Sequence, residues 1–239
     1  MTPTLIAAAH GTRDGRDRPV VEALLDRVRA LRPELQVRAA YLQFAAPSVS
    51  SALVQSRGNA VVVPLLLSSG YHLRADLPAA VYTARAAVGS RASFGLAPAL
   101  GPHELLVDAL LGRLHAAGWR PGTPIVLAAA GSTEPRATVD VRQTLRLLAL
   151  RTRVQVAVGF AAGASPTVAQ SVARLRRGGA GAVAVASYLI ARGQFHDLAV
   201  ASGADVVADP LADHPSLAQL VLHRYDAAVP VQHTLMIVP

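Results

Sequence analysis

Apolar and amphipathic stretches alternate along the whole chain. Residues 4–9 (TLIAAA), 36–42 (QVRAAYL), 60–67 (AVVVPLLL) and 93–100 (SFGLAPAL) are short, mostly apolar runs of strand length. The run at 60–67 has no charged position, so it predicts a strand buried on both faces. The stretches between them have a different period. In 18–31, Val21, Leu24, Leu25, Val28 and Leu31 recur at helical spacing. Residues 47–56 open with Pro47, which suits the first turn of a helix, and stop before Gly58. Residues 77–88 and 103–118 predict two more helices, the last with Gly118 as its stop signal.

The pattern then restarts. TPIVLAAAGSTEP (123–135) echoes PTLIAAAHGTRD near the start, and AGAVAVASYLIARG (180–193) echoes GNAVVVPLLLSSG. Residues 154–172 and 206–224 echo the second strand–helix unit and the fourth in the same way. The expected organisation is therefore two homologous halves, 1–118 and 119–229, with a tail at 230–239 that has no repeat partner. The Gly/Pro-rich stretch 116–123 is the seam. Strand–helix alternation predicts the α/β class. Each half should be a mostly parallel sheet flanked by helices in three layers, with a cleft between the halves. Ligands of such sheets gather beyond the carboxyl ends of the strands. His10 follows the first predicted strand, Gln43 the second, and Ser69, Gly70 and His72 the third, so all five fall on one rim of the first half.

Composition narrows the partners. The 239 residues carry a formal net charge of +8, and every basic residue is Arg. Arginine grips carboxylate or phosphate with a planar fork, so the charge suits an anionic partner. Aromatic residues make up only 4%, too few for a stacking platform on single-stranded nucleic acid, and there is no long basic block; no nucleic-acid partner is expected. There is no cysteine, which excludes disulfides, thiolate zinc sites and cysteine-held iron–sulfur clusters. No apolar run approaches the roughly 20 residues of a membrane span, and the N-terminal segment lacks signal-peptide features. The expectation is a cytoplasmic protein without a membrane partner.

The two strand-end motifs carry the candidate chemistry. In AHGTRD, Gly11 can supply a turn and Thr12 or Asp14 can cap the following helix; alternatively, His10 is a base or a metal ligand. In LLLSSGYHLRADLP, Ser68, Ser69 and Gly70 leave space before His72, Arg74 and Asp76. Asp76 is expected to cap the helix that starts at Leu77. An open metal site needs only two or three protein ligands, because substrate takes the remaining positions. His103 and His214 occupy equivalent places at predicted helix starts, which points to a structural role for both. Matching Gly11 with Gly131 and Gly70 with Gly193 places Ala130 opposite His10 and Phe195 opposite His72. The second half keeps the scaffold and lacks the histidine pair.

AHGTRD, AAYLQFAAPSV, VVVPLLLSSGYHLRADLP and APALGPHELLVDAL together resemble the class II tetrapyrrole chelatases, in particular the long, two-domain sirohydrochlorin chelatases of the CbiX/SirB-like branch. The resemblance covers most of residues 1–115 and, more weakly, 124–225. It implies two tandem chelatase-like domains, the first carrying the active site, and insertion of Fe2+ or Co2+ into sirohydrochlorin on the way to sirohaem or a cobalamin precursor. The family's metal-binding, proton-accepting histidines map onto His10 and His72. Arg13 and Arg74 are the expected partners of substrate carboxylates, with Gln43, Ser69 and Gly70 also on the substrate side. The metal is a substrate and no permanent cofactor is implied. The ligand preferences of imidazole admit Ni2+ as well. Family members commonly carry an acid where this chain has Gln43, which keeps a tetrapyrrole or metal carrier without turnover as the alternative. The two halves could serve as a pseudo-dimer in a monomer, or the chain could form a homodimer.

Overall fold

A computed structural model describes residues 2–229. The tail at 230–239, which includes His233, lies outside the described residues. The first half runs β1 (Thr4–Ala9), α1 (Asp17–Leu31), β2 (Val37–Tyr41), α2 (Val49–Gln55), β3 (Ala60–Pro64), α3 (Leu77–Val88), β4 (Phe94–Leu96) and α4 (Glu104–Ala116). The second runs β5 (Ile125–Ala129), α5 (Pro135–Thr152), β6 (Val156–Phe160), α6 (Val168–Arg177), β7 (Ala184–Tyr188), α7 (Gln194–Val200), β8 (Val206–Val207) and α8 (Pro215–Ala228). The sheets have the orders β2-β1-β3-β4 and β6-β5-β7-β8, and every pairing is parallel. All residues of β1 and β3 are buried, as a two-sided parallel strand requires. Pro64 ends β3, so the apolar stretch 65–67, expected as part of the strand, belongs to the loop that follows.

Alternate residues of each central strand feed different cores. Ile6 and Ala8 of β1 pack with Leu53 of α2 and Leu77 and Val81 of α3 in an outer core. Val126 and Ala128 of β5 do the same with α6. The other faces, Leu5, Ala7 and Ala9 in β1 and Ile125, Leu127 and Ala129 in β5, enter one continuous core shared by both halves. The cleft expected between the halves is therefore, below the rim, a single apolar interior. The last helices are also exchanged: α4 packs on β7 and α5 of the second sheet, and α8 packs on β3 and α1 of the first. Leu217, Leu220, Val221 and Tyr225 of α8 are buried in the shared core. Burying each such side chain contributes roughly 1.5–3 kcal/mol. The Tyr225 hydroxyl donates to Pro3 O at 2.6 Å, tying α8 to the start of β1.

The seam is not a loose tether. Trp119 is buried in the shared core and its Nε1–H donates to Thr123 O at 2.9 Å. Gly118, just past α4, has φ +87°, a backbone conformation suited to glycine at a helix end. His103 and His214 do cap helices: their Nδ1 atoms accept from Leu105 N–H and Ser216 N–H at the starts of α4 and α8. Among the described residues no helix is long and apolar enough to cross a membrane.

A histidine pair at the sheet switch point

In the order β2-β1-β3-β4, the chain leaves β1 toward one edge of the sheet and β3 toward the other. The carboxyl ends of these two adjacent strands therefore flank the topological switch point, where α/β sheets open a crevice. His10 is the first residue after β1, and His72 lies eight residues beyond the end of β3. The two imidazole rings meet there, with centroids 4.6 Å apart and planes tilted by 58°.

Local structure explains how each ring is held. The loop after His10 turns through Gly11 at φ +87°, where a Cβ would stand 1.9 Å from Gln43 O. Gln43 N–H donates to His10 O at 2.9 Å, which locks the two strand-end loops together. His72 begins a single π-helical turn, His72–Asp76, that runs straight into α3. Such turns are rare and often mark functional positions. Asp76 does not cap α3. Its backbone is helical, so the helix continues through it, and its carboxylate turns back to His72 Nδ1 at 2.5 Å. A carboxylate only accepts, so Nδ1–H donates and Nε2 keeps its lone pair for a ligand or a proton. Nor does Thr12 or Asp14 cap α1: the Thr12 hydroxyl donates to the buried Asp17 carboxylate at 2.8 Å, and Asp14 pairs with Arg16. Burial first, and then the neighbouring His72, lower the His10 pKa from its ordinary value, which favours the neutral ring. Among the described residues no group of three or more His, Cys, Asp or Glu is arranged to hold a metal. Two neighbouring imidazoles are at most an incomplete set of nitrogen ligands.

The other predicted residues divide. Gln43 is joined to His10 by its backbone, and its side chain is exposed. The Arg13 guanidinium lies over the Phe44 ring, 4.7 Å from its centroid. Arg74, Ser69 and Gly70 face the second half: Arg74 pairs with Glu134, Ser69 N–H donates to an Asp140 oxygen at 2.7 Å, and Gly70 lies beside Ser132. Sequence reasoning missed Asp140, Glu134 and Tyr188, whose hydroxyl donates to Leu67 O at 2.7 Å. Contacts across the repeat leave no local signal. It also missed Phe44, for which a signal existed: the second half has Gly163 at the matching place. His196, one position out of register with His72, is buried, with Nδ1 3.3 Å from the Ser187 hydroxyl, and belongs to the packing of the second half.

Fold and rim together define a tandem α/β protein with two histidines paired at the strand-end rim of one of its two sheets. The chain belongs to the CbiX family, whose model matches residues 4–117 and again 124–228. It is 25% identical over 202 residues to a sirohydrochlorin cobaltochelatase of Priestia megaterium, an alignment covering 80% of this chain and 65% of that protein. The chain thus spans just under two thirds of that relative's length. Among solved structures, SirB from Bacillus subtilis with Fe3+ has a TM-score of 0.79 at 20% identity, covering 94% of both chains. SirB from Bacillus subtilis subspecies spizizenii in complex with cobalt has a TM-score of 0.75 at 20% identity, covering 95% of this chain and 94% of the other. These likenesses show the fold.

Proposed function

We propose that this chain is a sirohydrochlorin metal chelatase that inserts a divalent ion, Fe2+ or Co2+ with Ni2+ also admitted, into the macrocycle in the cytosol. The observation that carries the reading is the His10–His72 pair at the switch point, with Asp76 behind His72. Membership of the CbiX family and the likeness to a cobaltochelatase support the choice of substrate.

The chemistry divides naturally between the two rings. Metallation removes two N–H protons from pyrrole nitrogens as one divalent ion enters, so the product keeps the charge of the free macrocycle plus ion less two protons. His10, whose charged form burial disfavours, is suited to hold the incoming ion; imidazole nitrogen binds Fe2+, Co2+ and Ni2+ readily. His72 is suited to accept one proton at Nε2, because the Asp76 carboxylate would stabilise the imidazolium that forms, and His10 is suited to take the second once the ion has left it. Both rings lie side by side on the same strand-end rim, so ion and base would act from one side of the macrocycle. Arg13 and Arg74 would meet peripheral carboxylates, Arg74 by exchanging Glu134 for substrate. Gln43, Ser69 and Gly70 would lie along the ring's edge. No resident cofactor is required.

The test is anaerobic metallation of sirohydrochlorin with Fe2+ or Co2+, followed by absorbance. Wild type should accelerate the reaction well above the uncatalysed rate. His10→Ala and His72→Ala should each lose most of that acceleration while keeping the wild-type melting temperature. Tight tetrapyrrole binding with no acceleration would instead make the protein a carrier.

A further inference from the structure

Phe44 is the least expected residue on the rim. It sits at φ +58°, a left-handed conformation that a bulky side chain adopts only when its surroundings enforce it. The second half makes the same loop with Gly163 at φ +63°, so the backbone needs no side chain there. Yet the Phe44 side chain does not repay the strained conformation by burial, since 52% of the residue is exposed. The ring stands edge-on to His10, 6.5 Å between centroids, and Arg13 covers it at 4.7 Å. The half that has the histidines has this aromatic; the half that lacks them has glycine.

We propose that Phe44 and Arg13 form a lip that seats the edge of a flat, conjugated, carboxylate-bearing macrocycle against His10. The ring offers an apolar contact surface beside the metal ligand, and Arg13, already packed on that ring, is placed to meet a peripheral carboxylate. Phe44 is here a binding residue, and it sets how the macrocycle is presented rather than how the metal is held. The assignment rests on the chelatase reading for the identity of the macrocycle.

Phe44→Gly tests it, because glycine is the residue the matching loop already carries and it relieves the left-handed conformation. Melting temperature should be unchanged or higher, and Co2+ binding measured calorimetrically without macrocycle should match wild type. The KM for sirohydrochlorin should rise about tenfold, the loss expected on removing an aromatic contact, with kcat changed by less than about threefold. Phe44→Tyr, which keeps the ring, should stay within about threefold of wild type in both. A wild-type KM in Phe44→Gly would overturn the lip, as would a joint loss of Co2+ binding and melting temperature, which would make Phe44 a packing residue. Metal-free sirohydrochlorin binding, followed by fluorescence, separates this inference from the chelatase reading. A wild-type protein that binds the ring without metallating it ends that reading, and the lip stands if Phe44→Gly still weakens binding about tenfold.

Discussion

Tyr188→Phe removes one oxygen from the boundary between the halves and should report on both stability and catalysis. The Tyr188 side chain is buried, and its hydroxyl donates at 2.7 Å to Leu67 O, within the loop that leads to His72. Burial pushes the phenol pKa up, so the hydroxyl remains a donor at any working pH. The Thr144 hydroxyl has one proton and two acceptors in reach, Tyr188 Oη at 3.2 Å and Asp140 O at 3.1 Å, so it keeps a partner in the variant. Leu67 O has no second protein donor among the described residues. Gly101 stands against both groups, where a Cβ would be 2.1 Å from Tyr188 Oη and 2.5 Å from Leu67 O, which leaves little space for a replacement water. The cost is then one hydrogen bond plus an unpaired, partly buried carbonyl, about 1–2 kcal/mol. For a chain of this size that lowers the melting temperature by about 2–8 °C.

Catalysis should fall with it. The same loop has a second anchor in Ser69 N–H on Asp140, so a single loss loosens the path to His72 without releasing it. A fall of about three- to tenfold in kcat/KM is expected for a modest misplacement of one ring. Asp140→Ala should act alike, and the double variant should lose more than the sum, since the two anchors share one loop. Thermal unfolding by circular dichroism and the metallation assay read both quantities. A melting temperature within 1 °C of wild type together with unchanged kcat/KM would refute the reasoning, because the hydroxyl would then contribute nothing to the loop.

Three further outcomes follow from the geometry. Gly11→Ala places a Cβ 1.9 Å from Gln43 O at φ +87°, and Gly131→Ala places one 1.8 Å from Ala162 O at φ +93°; both should destabilise by about 1–3 kcal/mol, but only Gly11→Ala should weaken Co2+ binding, since no histidine follows β5. Asp76→Asn keeps an acceptor for His72 Nδ1–H and removes the charge, so kcat should fall about 10- to 100-fold while Co2+ affinity, carried by His10, changes far less; equal losses in both would contradict the division of roles. Burial, first among the causes, lowers the pKa of His103, His196 and His214 below their ordinary value, so the native state binds fewer protons than the unfolded state just below pH 6.5; the melting temperature should hold above that pH and fall as pH drops toward 5, and a flat profile there would show that these rings are solvated.

The sequence announced most of the scaffold because its signals are local. The first predicted strand matches β1 at both ends, and the helix predicted over 77–88 is α3. The strand-end rule puts His10 and His72 on one rim, and their rings meet there. What it could not show is which sheet a helix covers. The apolar faces of α4 and α8 say that each is buried, and nothing in their spacing says that they are exchanged. Asp76 was misread for a related reason: an acid before Leu77–Pro78 looks like a cap, and only the fold shows a helix already running through it, with His72 one turn back. Phe44 was readable from the repeat, as an aromatic aligned with glycine, but only once the loops after β2 and β6 are compared residue by residue.

The same comparison explains what the second half contributes. Buried positions 17, 21, 24 and 28 in α1 match 137, 141, 144 and 148 in α5, an offset of 120 that also matches Gly11 to Gly131. On that register Asp140 and Thr144 stand where the first half has Val20 and Leu24, and the pairing of β7 with β5 aligns Tyr188 with Leu65. Three apolar positions of one copy are thus polar in the other, and they form one connected set: Tyr188 on Leu67 O, Thr144 between Tyr188 and Asp140 O, Asp140 on Ser69 N–H. Thr144 and Tyr188 are buried and Asp140 half-buried, and such groups cost desolvation unless each is paired, so the set is not a neutral replacement for leucine and valine. Val20, Leu24 and Leu65 have no polar side-chain atom, so these three positions offer no reciprocal grip. The halves have therefore diverged in complementary directions. One carries the histidines and the aromatic lip, and the other, without either, carries the side chains that hold the His72 loop.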